Sequence, residues 1–315
     1  MSGAPDSRRT GRPRVPSIFT HIPSLEEYRA TEPGQADGVG GGRAADEGRS
    51  AGDAAATGPW ITVITVVLNG EAILERTIQS VISQSYPNVE YIVIDGGSTD
   101  ASLDVIRRHA GRIDHWISAK DRGIADAMNK GIAMARGAIL NFLNAGDYYV
   151  NSDALDYVAC WYRADSWWWA YGLARLQINY RETSLTQRSR PFRKWKNYYL
   201  TQNCHQATFF RRALFERVGL YALGNDRFFD VEFYMRATDV ALPATSDRML
   251  VWYDVTGLSA HVHWASLRAR IRLTFSWRGP LEGLVWIVPI VTRWGGSAIG
   301  LHVKRLLGWL RRDEG

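Results

Sequence analysis

The chain is poor in cysteine, with Cys160 and Cys204 the only two among 315 residues. Two cysteines cannot build a disulfide framework, and no CxxC pair is present to suggest a zinc site. A reducing compartment, the cytoplasm, is the expected setting. Long hydrophobic runs are missing too. Leu284 to Val291 (LVWIVPIV) is far too short to span a bilayer, and Pro289 breaks it. The chain opens without an apolar h-region, so no secretory signal is expected.

The first 58 residues offer almost nothing to bury. MSGAPDSRRTGRPRVPS is basic and broken by proline, and GQADGVGGGRAADEGRSAGDAAATG is rich in Gly and Ala. Such composition cannot offset its ordering entropy, so residues 1–58 are expected to be a disordered extension. For IFTHIPSLEEYRA, lying between them, disorder is likewise expected, with a short docking segment as the alternative.

What remains is ordinary globular composition, 46% hydrophobic and 22% charged, with 13 Trp and 14 Tyr. A net charge of +6 and a pI near 9.4 allow an anionic partner such as a nucleotide, a phospholipid or nucleic acid. From Pro59 onward the pattern becomes regular. WITVITVVLNG is a β-branched run of the kind buried on both faces of a sheet. In EAILERTIQSVISQSYPN, Leu74, Ile78, Val81 and Ile82 keep helical spacing until Pro87 ends the element. VEYIVIDGGSTD, IDHWISA and AILNFLNAGD read as further strands, with helices over ASLDVIRRHA and GIADAMNKGIAMARG between them. Strict alternation of strand and helix predicts an α/β fold with a mostly parallel, helix-flanked sheet. Right-handed crossovers then bring the strand C-termini to one edge, where open α/β sheets bind ligands.

That edge collects polar residues. Asn69 and Glu71 follow the first strand, Asp95 to Asp100 the second, Asp121 the third, and Asn144 and Asp147 the fourth. On the third helix Ile124, Met128 and Ile132 point inward, while Asp126, Asn129 and Lys130 share another face. Each has a plainer explanation on its own: Asp95 and Asp100 as turn and helix caps, Asp126 as a solvated helix residue. Together, clustered carboxylates need a cation or hydrogen-bond donors among them.

TVVLNGEAILERTIQSVISQSYPNVEYIVIDGGSTD, DRGIADAMNKGIAMARG and LNAGD resemble the amino-terminal half of family 2 glycosyltransferases. The likeness continues through YG at Tyr171–Gly172, CHQATFFRRALFERVGLY and DVEFYMRA, and ends near GLSAH, covering roughly residues 60–260. It implies the GT-A fold, a Rossmann-like sheet that binds a nucleoside-diphosphate sugar, and an inverting reaction. Donor contacts are implied at Thr65, Val67, Asn69, Glu71, Asp95, Asp121, Asp126, Asn129 and Asn144, with Asp95 near the base. Gly96 stands where many members carry a second Asp. Asp147 matches the last carboxylate of the family's Asp-rich metal motif, implying a divalent Mn or Mg cofactor. A hard cation needs few protein oxygens when phosphates and water supply the others. A helix cap is the alternative for Asp147.

In the second half, His205 and Gln206 lead an apolar strand. Contact with acceptor or donor is expected of them rather than proton transfer, and a purely structural histidine is the alternative. Asp230, near the start of the helix over FFDVEFYMRA, matches the family's general base, which takes the acceptor hydroxyl proton. Glu232 is the competing carboxylate, and helix N-capping the plainer role for Asp230. SWWWAYG reads as a core strand, with alternation turning Trp168 away from Trp167 and Trp169. The catalytic domain is expected over 59–262, followed by C-terminal amphipathic helices over 263–315. There Val303, Leu306, Leu307 and Leu310 form a stripe opposite Lys304, Arg305, Arg311 and Arg312. Such a helix suits an anionic membrane surface, with packing on the catalytic domain as the alternative.

These features predict a cytoplasmic enzyme, peripheral on the inner face of the membrane, that glycosylates a saccharide or lipid-linked acceptor. A sugar-phosphate nucleotidyltransferase would carry a Gly-rich, Arg/Lys-containing loop after the first strand, and LNGEAILE does not. A nucleic-acid binder would place its Arg residues among stacking aromatics, whereas here they cluster in the tail.

Overall fold

In the computed structural model, the described residues are 21–30, 38–41, 58–186, 203–224 and 228–256. Strand β2 (Ile61–Val67) pairs in parallel with β3 (Val89–Asp95) on one side and β5 (Ile139–Phe142) on the other. β4 (His115–Ser118) adds in parallel outside β3. All seven residues of β2 are buried because alternate side chains feed two cores. Ile64 and Val66 join the core under α4 (Ile124–Met134), while Ile61, Val63 and Val67 join that under α2 (Glu71–Ile82) and α3 (Ser102–Arg108). The expected doubly covered parallel sheet is present, with its strand ends on one edge.

Beyond β5 the sheet changes direction. β9 (Thr208–Arg211) is antiparallel to both β5 and β7 (Trp169–Ile178), and β10 (Ala244–Asp254) runs parallel to β7. β6 (Tyr148–Tyr149) closes the far side against β10, and β8 (Arg181–Thr186) folds back on β7. Helix α5 (Ala154–Asp165) covers the α2 face, while α6 (Arg212–Val218) and α7 (Phe229–Val240) cover the α4 face. The aromatic richness finds its use here. Trp169, Phe210 and Tyr234 stack, and Phe215 lies on Phe233 with ring centres 4.5 Å apart.

Two expectations need correction. Trp167 and Trp169 pack in opposite cores, because Trp167 precedes the strand and escapes its alternation. Trp168 packs at the margin of Trp169's core, with the guanidiniums of Arg211 and Arg217 5.2 and 5.5 Å from its ring centre. The second correction concerns the extension expected to be disordered. Helix α1 (Leu25–Ala30) docks on α4, with Leu25 buried, and β1 (Gly38–Gly40) pairs antiparallel with β4 at the sheet's outer edge. Backbone bonds from Leu220 to Pro23 (3.0 Å) and Leu223 to His21 (2.8 Å) fasten this segment. Ile22 and Leu25 supply apolar area that the Gly/Ala-rich flanks lack. The tail over 263–315 lies outside the described residues. Among the described residues, no helix is long and apolar enough to cross a membrane.

Candidate active site

The loops after β2 and β3 are stitched together. Asn69, at φ +52°, accepts the Thr99 amide on Oδ1 at 2.8 Å and donates its own amide to Ser98 Oγ at 2.7 Å. Glu71 Oε2 accepts the Ala101 amide at 2.8 Å, while the Glu71 amide donates to Asp100 Oδ2 at 3.0 Å. Asp100 Oδ1 also accepts the Ser102 amide at 2.9 Å, so one carboxylate serves the first turns of two helices. Asp95 is fully buried: it accepts Ser118 Oγ at 2.6 Å and the Ser98 amide, which closes the glycine turn. These side chains shape the edge and take up the amides of Asn69, Gly70, Glu71 and Ser98.

Four expected contacts turn inward. Thr65 Oγ1 bonds the Tyr91 hydroxyl at 3.1 Å inside the core, because its strand position faces α2. The amide of Asn129 is spent on the backbone of Tyr221, donating to its carbonyl and accepting from its N–H at 2.9 Å each. His205 is stacked on Phe142 and shares a 2.9 Å hydrogen bond with the Tyr221 hydroxyl. Burial pushes this imidazole down to about 3, so it stays neutral and structural. Val67 is likewise interior, and its carbonyl holds the Gly96 amide at 2.9 Å.

Asp121 pairs with Lys130, whose ammonium also lies 3.5 Å from Asp126. Burial raises the Asp121 carboxyl, and Lys130 opposes that shift. A Cβ on residue 96 would stand 2.9 Å from Asp121 Oδ2, so glycine there makes room for this carboxylate. Asp126 is not solvated. It receives the Tyr28 hydroxyl at 2.5 Å, and the Arg122 guanidinium at 2.7 and 3.1 Å.

The tip after β5 is built differently. Gly146, at φ +95°, donates its amide to Thr77 Oγ1 at 2.9 Å, and Thr77 donates to the Asp147 carbonyl at 2.8 Å. Asp147 is buried, and among the described residues it has no cationic partner. Its Oδ1 accepts the Asp254 amide at 2.9 Å. Burial pushes its carboxyl up to about 8; the Asp254 amide and Gln206 side chain oppose this, and the Asp254 charge adds to it. Asn144 Oδ1 and Gln177 Oε1 are buried without hydrogen-bond partners, and Gln177 donates to the Gly146 carbonyl at 3.2 Å. One carboxylate and two idle amide oxygens around one tip fit a hard cation sharing its shell with phosphates. Among the described residues no group of three His, Cys, Asp or Glu could hold a metal alone. Beside the tip, Tyr148, Arg76, Arg175, Glu182 and Trp252 line an open groove of about 620 Å³.

Asp230 is the second residue of α7 and half-buried, with Oδ1 on the Val231 amide at 2.8 Å. The N-cap position is Phe228, so capping is not its role. Glu232 is fully buried in a bidentate pair with Arg236, at 2.7 Å for both bonds, and has no route to a ligand. Burial drives the Cys204 thiol to about 12, and the charges of Asp147 and Asp230 both add to that. The charges of both carboxylates thus act on this one buried thiol. Thr77, Gln177 and Asp254 escaped sequence reasoning. A Thr inside the apolar stripe of α2, and an apolar strand ending in Asp at MLVWYD, were the available signals.

The profile of glycosyl transferase family 2 matches residues 62–219. The chain belongs to this family. An uncharacterized glycosyltransferase of Mycobacterium tuberculosis is 33% identical over 208 residues, covering 64% of this chain and 78% of that one. A Mycobacterium bovis protein named PGL/p-HBAD biosynthesis glycosyltransferase is 28% identical over 264 residues, covering 81% and 98%. Among solved structures, residues 1–349 of S. aureus TarS with UDP-GlcNAc superpose with a TM-score of 0.56 at 17% identity, covering 69% of this chain and 66% of that one. The Pyrobaculum calidifontis mannosyltransferase PcManGT, with GDP-Man and Mn²⁺, gives 0.53 at 16% identity, covering 77% and 75%. These likenesses establish the GT-A fold of this glycosyltransferase.

Proposed function

We propose that this family 2 enzyme inverts the anomeric centre as it moves a sugar from a UDP- or GDP-linked donor to a membrane-associated saccharide or lipid-linked acceptor. The product would belong to cell-surface polysaccharide or glycolipid. What supports this is the buried carboxylate of Asp147 at the tip after β5, next to the unpartnered amide oxygens of Asn144 and Gln177, together with the half-buried carboxylate of Asp230 at the start of α7. Inversion needs one carboxylate behind the anomeric carbon and charge neutralisation at the diphosphate in front of it. Asp230 takes the proton of the acceptor hydroxyl as its oxygen attacks, and the bond to the diphosphate breaks. Asp147, Asn144 and Gln177 would hold a divalent cation, which supplies charge neutralisation to the leaving diphosphate.

The nucleoside lies against the Asn69–Glu71 and Asp95–Ser98 loops. Asp121 and Asp126 shape the ribose and diphosphate side, and Gln206 orients Asp147. The groove beside Tyr148 offers a saccharide acceptor guanidinium, carboxylate and amide partners. The cationic face of Lys304, Arg305, Arg311 and Arg312, opposite the apolar Val303–Leu310 stripe, keeps the enzyme on the anionic inner face of the membrane. Thermal-shift measurements with UDP, GDP and their sugars identify the donor, and NMR of the product reads the anomeric configuration. A product that retains the donor configuration overturns the inverting assignment.

A further inference from the structure

The N-terminal segment meets the donor edge at one point. Tyr28, on α1, is half-buried and donates its hydroxyl to Asp126 Oδ1 at 2.5 Å, with Arg122 Nη2 3.3 Å from the same hydroxyl. Asp126 also accepts the Arg122 amide at 3.1 Å, so the carboxylate holds both the backbone and the guanidinium of Arg122. Arg122 adjoins Asp121 and precedes Gly123, the residue whose φ of +119° turns the chain into α4. Burial works to raise the Asp126 carboxyl, yet Arg122 and Tyr28 keep it below the ordinary range. The carboxylate stays ionised, and the loop 119–123 is tied to a residue nearly a hundred positions upstream. Nothing in the α/β core requires this bond, because α4 already buries Met128 and Ile132 beneath it.

We propose that residues 21–30 are a strap that sets the donor-side loop, and that Tyr28 is a positioning residue acting on the nucleotide sugar through Asp126 and Arg122. The strap is anchored independently of Tyr28 by Leu25 in the core and by the backbone bonds of His21 and Pro23. Removing the hydroxyl therefore leaves the strap docked and frees the loop alone. This inference rests on the donor binding at this edge, and its effect is on donor affinity rather than on the reacting atoms.

The test is Tyr28→Phe in the full chain, read in two ways. Amide hydrogen exchange at Arg122 and Asp126 should accelerate whether or not nucleotide is present, since Asp126 loses one of the partners that fix it. In turnover assays the donor KM should rise about tenfold with kcat nearly unchanged, the size expected for one hydrogen bond to a charged group. Leu25→Ala, which loosens the docking and leaves the hydroxyl in place, should move both quantities the same way. Unchanged exchange at these amides overturns the strap, and so does faster exchange with an unaltered donor KM. If the unsubstituted protein answers to no nucleotide, the donor assignment fails by itself, and the exchange result still decides whether Tyr28 holds the loop.

Discussion

Asp147 and Asp254 meet head to backbone: the Asp254 N–H donates to Asp147 Oδ1 at 2.9 Å. The carboxylate of Asp254 turns the other way, accepting the amides of Tyr180 and Thr256. Strand β10 thus delivers a backbone donor to the tip together with a second negative charge. The pairing leaves Asp147 short of positive charge.

A pH dependence follows from that shortage. An aspartate titrates near 3.9 when unfolded, and Asp147 is pushed up to about 8 in the fold. Between these values the native state holds a proton that the unfolded state has lost, so stability falls as pH rises. His205, pushed down to about 3, acts oppositely, but only below the ordinary histidine value near 6.5. The clean window is pH 6.5 to 8. In EDTA the melting temperature should decline across it, and Asp147→Asn should flatten the decline. A flat profile in the parent protein contradicts the placement of Asp147.

Divalent cations should reverse this loss. UDP or GDP, whichever the donor carries, should stabilise the protein more with Mn²⁺ or Mg²⁺ than in EDTA. Asp147→Ala should abolish the difference. Equal stabilisation in EDTA would point to a diphosphate clamp that works without metal.

The two carboxylates of α7 should separate cleanly. Asp230→Asn keeps shape and hydrogen bonding but cannot accept the acceptor's proton, so kcat should fall roughly 100-fold or more with donor binding retained. Glu232→Gln instead leaves Arg236 buried beside a neutral amide, and should destabilise the fold by about 3–5 kcal/mol, visible in denaturant melts. A stable, inactive Glu232→Gln together with an active Asp230→Asn would reverse the assignment.

Truncation after Gly300 tests the tail. Loss of Lys304, Arg305, Arg311 and Arg312 removes about 1 kcal/mol of membrane attraction per charge, so binding to anionic liposomes should drop in a salt-dependent way. Melting temperature and nucleotide response should hold. Unchanged liposome binding with lowered stability would instead mean that the stripe packs on the catalytic domain.

Tightening of the tip by α2 gives a further test. Thr77→Val keeps the volume of the side chain while deleting both hydrogen bonds to the Gly146–Asp147 peptide segment. Metal-dependent nucleotide stabilisation should weaken several-fold, with a loss of about 1–3 kcal/mol in stability for the buried groups left unpaired. Undiminished metal response would show that the tip holds its shape without Thr77.

The sequence by itself determined the α/β core and which strands end at the ligand edge. Period-two β-branched runs and period-3.6 stripes report local burial, and Ile61–Val67 or Leu74–Val81 allow hardly any other element. It also determined the family, because the order of short motifs survives where most other positions differ. The roles expected of Asp147 and Asp230 come from that same order of motifs. Contacts across the chain were not. Asn129 and Thr65 carry the same polar atoms whether they face a nucleotide or a neighbour, and only packing against Tyr221 and Tyr91 turned them inward. Glu232 was excluded as a base only by Arg236 four residues on, whose guanidinium is held by the carbonyls around Gly219. Residues 21–30 look unremarkable in composition, since a six-residue helix gains its stability from the surface it covers. Tyr28 and Asp126 stand 98 positions apart, a separation at which local patterning has no signal and tertiary structure alone decides.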